Sequence, residues 1–207
     1  MATATLGQDK EDGLAEVVLF HSIMGPRPAI VEAAERLRSG GHTVHTPDLF
    51  EGDPPLDSYQ VAAERLGGIG VPAIVARARA AVEPLGPNLV YAGFSMGAGL
   101  SAGLAARRPG ARGALLMSGA PNPASIGATR WPAGVPVQIH MAIADPDRHQ
   151  AWIDELAAFV RAGGSTCDVF DYPGSGHLFA DADLPDEYDA TSAELMWSRA
   201  LEFLARL

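Results

Sequence analysis

At 207 residues and 21.6 kDa the chain is the length of one domain with room for a large core. Hydrophobic residues at 47% against 19% charged exclude intrinsic disorder, and a formal charge of −10 argues against a nucleic-acid binder. The single cysteine, Cys167, excludes a disulfide framework and a cysteine-built zinc site.

Residues 1–13 read as a loose tail without the basic and apolar regions of a signal peptide. Apolar strand-length runs at 16–21 and 42–46 flank a helical pattern at 28–38, and further helical patterns follow at 57–66 and 71–82. A strand at 89–93 runs directly into a helix at 96–108, which Arg107-Arg108-Pro109-Gly110 punctuates with positive charge and then stops. Strands at 113–117, 135–142 and 166–172 come next, with helices at 147–161 and 186–206, the last expected to start on the acids Asp186 and Glu187. Short apolar strands alternating with helices imply an α/β fold, a mostly parallel sheet covered on both faces. The longest uncharged stretch, 84–106, is broken by glycines and reads as a buried strand and helix rather than a membrane span. A soluble, cytoplasmic protein without membrane partners is the expectation. Arginine almost to the exclusion of lysine, with abundant alanine, matches residue usage in GC-rich bacteria.

Gly93-Phe94-Ser95-Met96-Gly97 reads G-x-S-x-G, the spacing of a serine held on a tight strand-to-helix turn where side chains two positions away would clash. The pattern is cheap, and a second copy stands at Gly99-Leu100-Ser101-Ala102-Gly103. Context favours Ser95, which follows an apolar strand, whereas Ser101 lies one turn inside the helix. A nucleophilic serine needs a base, and the base an orienting carboxylate. The order serine, acid, histidine after successive strands selects Asp145 and His177. Asp147 is the rival acid, although its place suits the first turn of a helix. The oxyanion hole needs the backbone N–H after the nucleophile and one from the loop after the first strand, here Met96 and Ile23.

Other chemistry is weaker. Gly97-Ala98-Gly99-Leu100-Ser101-Ala102 reads G-x-G-x-x-A, but the strand ends too early and no acid follows to hold a ribose, so no dinucleotide cofactor is expected. His42 and His45, three apart in a strand, point to opposite faces, and no metal site is expected. His21 and His140 read as core or loop hydrogen-bonding groups, and Cys167 as a small hydrophobe without a part in turnover.

The set formed by 21–25, 46–52, the first G-x-S-x-G, Asp145, Tyr172-Pro173-Gly174-Ser175-Gly176-His177 and the helix ending Leu201-Glu202-Phe203-Leu204 resembles the dienelactone hydrolase family. The resemblance implies an α/β-hydrolase fold of six to seven strands without a cap domain. It also implies a hydrolase cleaving small ester, thioester or lactone substrates. It places Ser22, Phe50 and Asp181 along the substrate pocket. Three positions depart from the family: Ser95 stands where dienelactone-cleaving members have cysteine, Ser22 where they have glutamate, and Asp181 where they have a carboxylate-gripping arginine. Asp181 implies a preference for neutral over anionic substrates. The loop 118–134 is either solvated or, through Arg130 and Trp131, part of the pocket. The alternative from another class is a hydrolase-like fold that binds a ligand or partner without turnover.

Overall fold

The computed structural model describes residues 14–207, and the tail at 1–13 lies outside them. Its elements are β1 (Glu16–Phe20), α1 (Pro28–Ser39), β2 (Thr43–His45), α2 (Tyr59–Ile69), α3 (Val71–Val82), β3 (Leu89–Phe94) and α4 (Met96–Arg107). They continue with β4 (Gly113–Met117), α5 (Pro123–Ile126), β5 (Val137–Ala142), α6 (Gln150–Ala162), β6 (Cys167–Tyr172) and α7 (Ala190–Leu204). The described strands form one sheet in the order β2-β1-β3-β4-β5-β6, parallel at every pairing. This is the α/β-hydrolase architecture with six strands. Among the described residues no cap domain interrupts it, and no helix is long and apolar enough to cross a membrane.

The middle of the sheet is buried on both faces, so β3 and β4 are buried at every position rather than at alternate ones. Val18 and Phe20 of β1 pack toward α3, α4 and α6, whereas Val17 and Leu19 pack toward α1 and α7. From β1 the chain winds outward to β2, and it then returns on the other side of β1 as β3. The reversal opens a crevice at the C-terminal ends of β1 and β3, where parallel sheets place their ligands.

Three expectations shift. The last helix starts at Ala190, because the Asp189 carboxylate accepts from the Ser192 N–H and caps it there, leaving Asp186 and Glu187 in the preceding loop. Within 118–134 a single turn, α5, forms behind the cap Asn122 with proline at its start. Trp131 is neither solvated nor near the pocket. It is fully buried, its indole N–H donates to the Val135 carbonyl at 2.7 Å, and its ring meets Phe159 of α6 edge-on. A tryptophan removes more apolar surface from water than any other side chain, and the underside of α6 offers it both cover and an acceptor.

Candidate active site

Ser95 joins β3 to α4 at φ 53°, ψ −111°, a conformation that costs a non-glycine residue about 1–3 kcal/mol and is held by the rest of the fold. Its N–H donates to the Met117 carbonyl of β4 at 2.9 Å. The flanking glycines are steric requirements. A Cβ on Gly93 would lie 2.4 Å from the Gly97 backbone, and one on Gly97 would lie 2.4 Å from the Phe20 carbonyl oxygen of β1.

Asp145 follows β5 and His177 follows β6. The Asp145 loop is tied down by the Ala144 N–H to the Gly174 carbonyl, and by the Asp147 N–H to the Asp145 Oδ1 at 2.8 Å. Asp145 Oδ2 lies 2.8 Å from His177 Nδ1, and His177 Nε2 lies 2.8 Å from Ser95 Oγ. Both partners of Ser95 are buried. Burial alone would depress the imidazole pKa, but the hydrogen bond and charge of Asp145, with Asp147 and Glu187 beyond, outweigh it and hold His177 above its ordinary value. Asp147 is exposed and stands 3.9 Å from Nδ1, so it contributes charge rather than the orienting bond.

Met96 opens α4, where the helix dipole adds to its N–H. Across the crevice, the Ser22 hydroxyl accepts from the Met24 N–H at 3.1 Å and the Ser22 carbonyl from the Gly25 N–H at 3.1 Å. These bonds fold the β1–α1 loop so that, among the described residues, the N–H groups of Ile23 and Met96 have no protein acceptor. A cavity of about 330 Å³ opens over Ser95 and His177 toward Ser118, Met141, His149 and Trp152. His149 and Trp152 pack ring against ring at 4.2 Å on its wall, a pair that nothing in the sequence singled out.

Two residues expected in the pocket lie elsewhere. Phe50 is buried behind the β1–α1 loop, with its ring 4.9 Å from His21 and its edge where a Cβ on Gly25 would stand. It supports the loop from beneath, where its apolar ring escapes water. Asp181 is buried and accepts from Arg27 Nε at 2.8 Å, so its charge is paired inside the fold rather than presented to the cavity over Ser95. The partner stands 154 residues earlier, which no local pattern could reveal.

Glu187, read as a helix-start acid, instead reaches back to the histidine loop. Its carboxylate accepts from the Leu178 N–H at 2.7 Å and the Tyr59 hydroxyl at 3.1 Å, and Tyr59 meets His177 edge-on. His21 and His140 are structural. His21 bridges the Ser22 carbonyl and the Leu49 N–H, and His140 joins Gln138 to Tyr172 and is pushed down to about 3 by burial and Arg199. Cys167 is buried and its thiol is pushed up to about 11, far from a reactive thiolate. Asp145, Asp147 and His177 bring one donor atom each within 4.8 Å of the others, a metal-like trio in which Asp145 and His177 are already bonded to one another. Neither His42 nor His45 joins it: His42 accepts from the Ala15 N–H, and His45 pairs with Glu16.

The sequence model of the dienelactone hydrolase family matches residues 2–207. No curated protein matches the chain. Among solved structures, a dienelactone hydrolase-like promiscuous phosphotriesterase from metagenomic libraries is similar over 97% of this chain and 89% of its own, at 20% identity and a TM-score of 0.78. An esterase of Thermogutta terrifontis with propionate bound is similar over 94% and 84%, at 18% identity and a TM-score of 0.64. A metagenome-derived lipolytic enzyme matches over 95% of both chains, also at 18% identity and 0.64.

Proposed function

Because this chain belongs to the dienelactone hydrolase family and is a hydrolase acting on ester bonds, we propose that it works by acyl transfer through Ser95, His177 and Asp145. The observation that carries this reading is the unbroken chain of 2.8 Å contacts from Asp145 through His177 to a serine on a strained elbow.

Ser95 Oγ attacks the acyl carbon while His177 Nε2 takes its proton. The carbonyl oxygen gains the electron pair and sits against the N–H groups of Met96 and Ile23. When the tetrahedral adduct collapses, the carbon–oxygen bond to the alcohol breaks and Nε2 returns the proton to that oxygen. The acyl group stays on Ser95. A water then repeats the sequence, giving up a proton to His177, and the acid departs as Ser95 is restored. Asp145 remains ionised throughout, holding the Nδ1–H tautomer and stabilising the transient imidazolium.

The substrates of this reading are small carboxylic esters, thioesters or lactones. A fluorophosphonate should label the wild-type protein at Ser95 alone, as mapped by mass spectrometry of its peptides, and 4-nitrophenyl acetate should be turned over. Absence of labelling together with absence of turnover would overturn it.

A further inference from the structure

A second cavity, of about 210 Å³, lies between α3 and α4 and meets the one over Ser95 at Gly99 and Pro121, which line both. Its walls are apolar: Leu66, Ile74, Ala78, Leu100, Leu104 and Ile126. Where a Cβ of Gly99 would stand, no atom lies within 4 Å, so the junction between the two cavities is open space.

The far end has a different character. Arg79 of α3 and Arg107 of α4 both line the cavity there. The Arg107 Nε donates back to the Gly103 carbonyl at 2.9 Å, which lays part of the guanidinium over Gly103, while both arginines stay exposed at the rim. Among the described residues no carboxylate forms an ion pair with Arg79 or Arg107. Partial burial and the like charge of Arg79 lower the Arg107 pKa, a repulsion that an anion between them would relieve.

We propose that this groove receives the acyl chain of the substrate, and that the preferred substrate is an ester whose apolar acyl chain ends in an anionic group held by Arg79 and Arg107. The inference rests on the acyl-transfer reading of Ser95. Orientation follows from the walls. The groove includes Met96, whose N–H faces the acyl oxygen, whereas His177, which protonates the departing alcohol, lines only the other cavity. The acyl side therefore points along α4 and the alcohol side toward His149 and Trp152. From Ser95 to the level of Gly103 the helix rises about 12 Å at 1.5 Å per residue. An extended chain of about eight to ten carbons spans that distance at carbon–carbon bonds of about 1.5 Å. A guanidinium pair suits a terminal carboxylate, which it can grip through parallel hydrogen bonds.

The test compares the 4-nitrophenyl monoester of decanedioic acid with 4-nitrophenyl decanoate, using 4-nitrophenyl acetate as the short control. At low salt kcat/KM should favour the anionic ester by about fivefold or more, and the advantage should shrink as salt screens the arginines. In Arg79→Gln/Arg107→Gln the gap should fall below about twofold while acetate turnover is retained. If that double variant misfolds, Arg79→Gln alone, on an exposed helix face, must narrow the gap. Equal rates on the two long esters with acetate still hydrolysed, or a gap that survives loss of the arginines, would overturn the inference and leave the acyl-transfer reading intact. Should no ester be hydrolysed, calorimetry with decanedioate decides. Arginine-dependent binding supports the groove and removes the role of Ser95, and no binding removes both.

Discussion

Two segments of this chain, 93–97 and 99–103, carry the same five-residue pattern, and the fold treats them in opposite ways. In the first, both glycines are demanded by backbone within 2.4 Å, and the serine is forced to positive φ with its hydroxyl against His177. In the second, Gly99 meets nothing, Gly103 meets only the end of a flexible Arg107 side chain, and the Ser101 hydroxyl is fully buried, donating to the Gly97 carbonyl at 2.8 Å. A helical serine that bonds the carbonyl four residues back has spent its proton on the backbone and has no base beside it. The pattern acquires chemical meaning only at a strand end, where the chain must reverse in a space too small for a side chain.

The largest test of that contrast is kinetic. Ser95→Ala should lower kcat on a short aryl ester by about 10⁵-fold or more, whereas Ser101→Ala should stay close to wild type. The reverse result would move the nucleophile to the second copy. Next comes the steric contrast. Gly97→Ala drives a methyl into the Phe20 carbonyl and should cost about 3 kcal/mol or more in urea unfolding, whereas Gly99→Ala, with open space and a helical backbone, should stabilise by about 0.5–1 kcal/mol. Equal effects would mean that the elbow is not closed against β1.

The base gives a third distinction. Because His177 is held above the ordinary imidazole value of 6.5, its neutral form is the minority below that raised value. Wild-type kcat/KM should therefore rise with pH through a limb above 6.5, and Asp145→Asn should move that limb downward while lowering kcat by about 10⁴-fold. A limb unmoved by Asp145→Asn would separate the acid from the base. The smallest effect is one of sign. Serine to glycine at 95 relieves a positive φ and should raise stability by about 1 kcal/mol, while the same change at 101 should lower it by about as much. Thermal unfolding of the two variants reads this directly.

Much of the site was legible because its parts sit where periodicity changes. The strands at 89–94, 137–142 and 167–172 read as strand-length segments followed by loops, and parallel sheets bring the loops after such strands to one edge. Ser95, Asp145 and His177 could thus be expected together from their positions, and the structure brings them into contact at 2.8 Å. Trp131, Phe50 and Asp181 could not be placed in that way. All three stand in loops, and a loop residue turns toward whichever distant partner satisfies it best: the Val135 carbonyl and Phe159 for Trp131, His21 and the backs of the β1–α1 residues for Phe50, Arg27 for Asp181. Glu187 was hidden for a related reason. In a run of acids ahead of a helix, composition does not distinguish the residue that caps from the one that reaches back to the histidine loop.

By itself the sequence determined the alternation of strands and helices, the elbow serine and the order of its partners, because each depends on neighbours a few residues away or on the plain rule that parallel strands end together. Only the tertiary structure decided which acids are free and which are compensated, which aromatics face the site, and that Arg79 and Arg107 meet at the end of an apolar groove. Those outcomes are settled by packing between segments far apart in the chain, where burial of apolar surface and pairing of charge compete with no local signature.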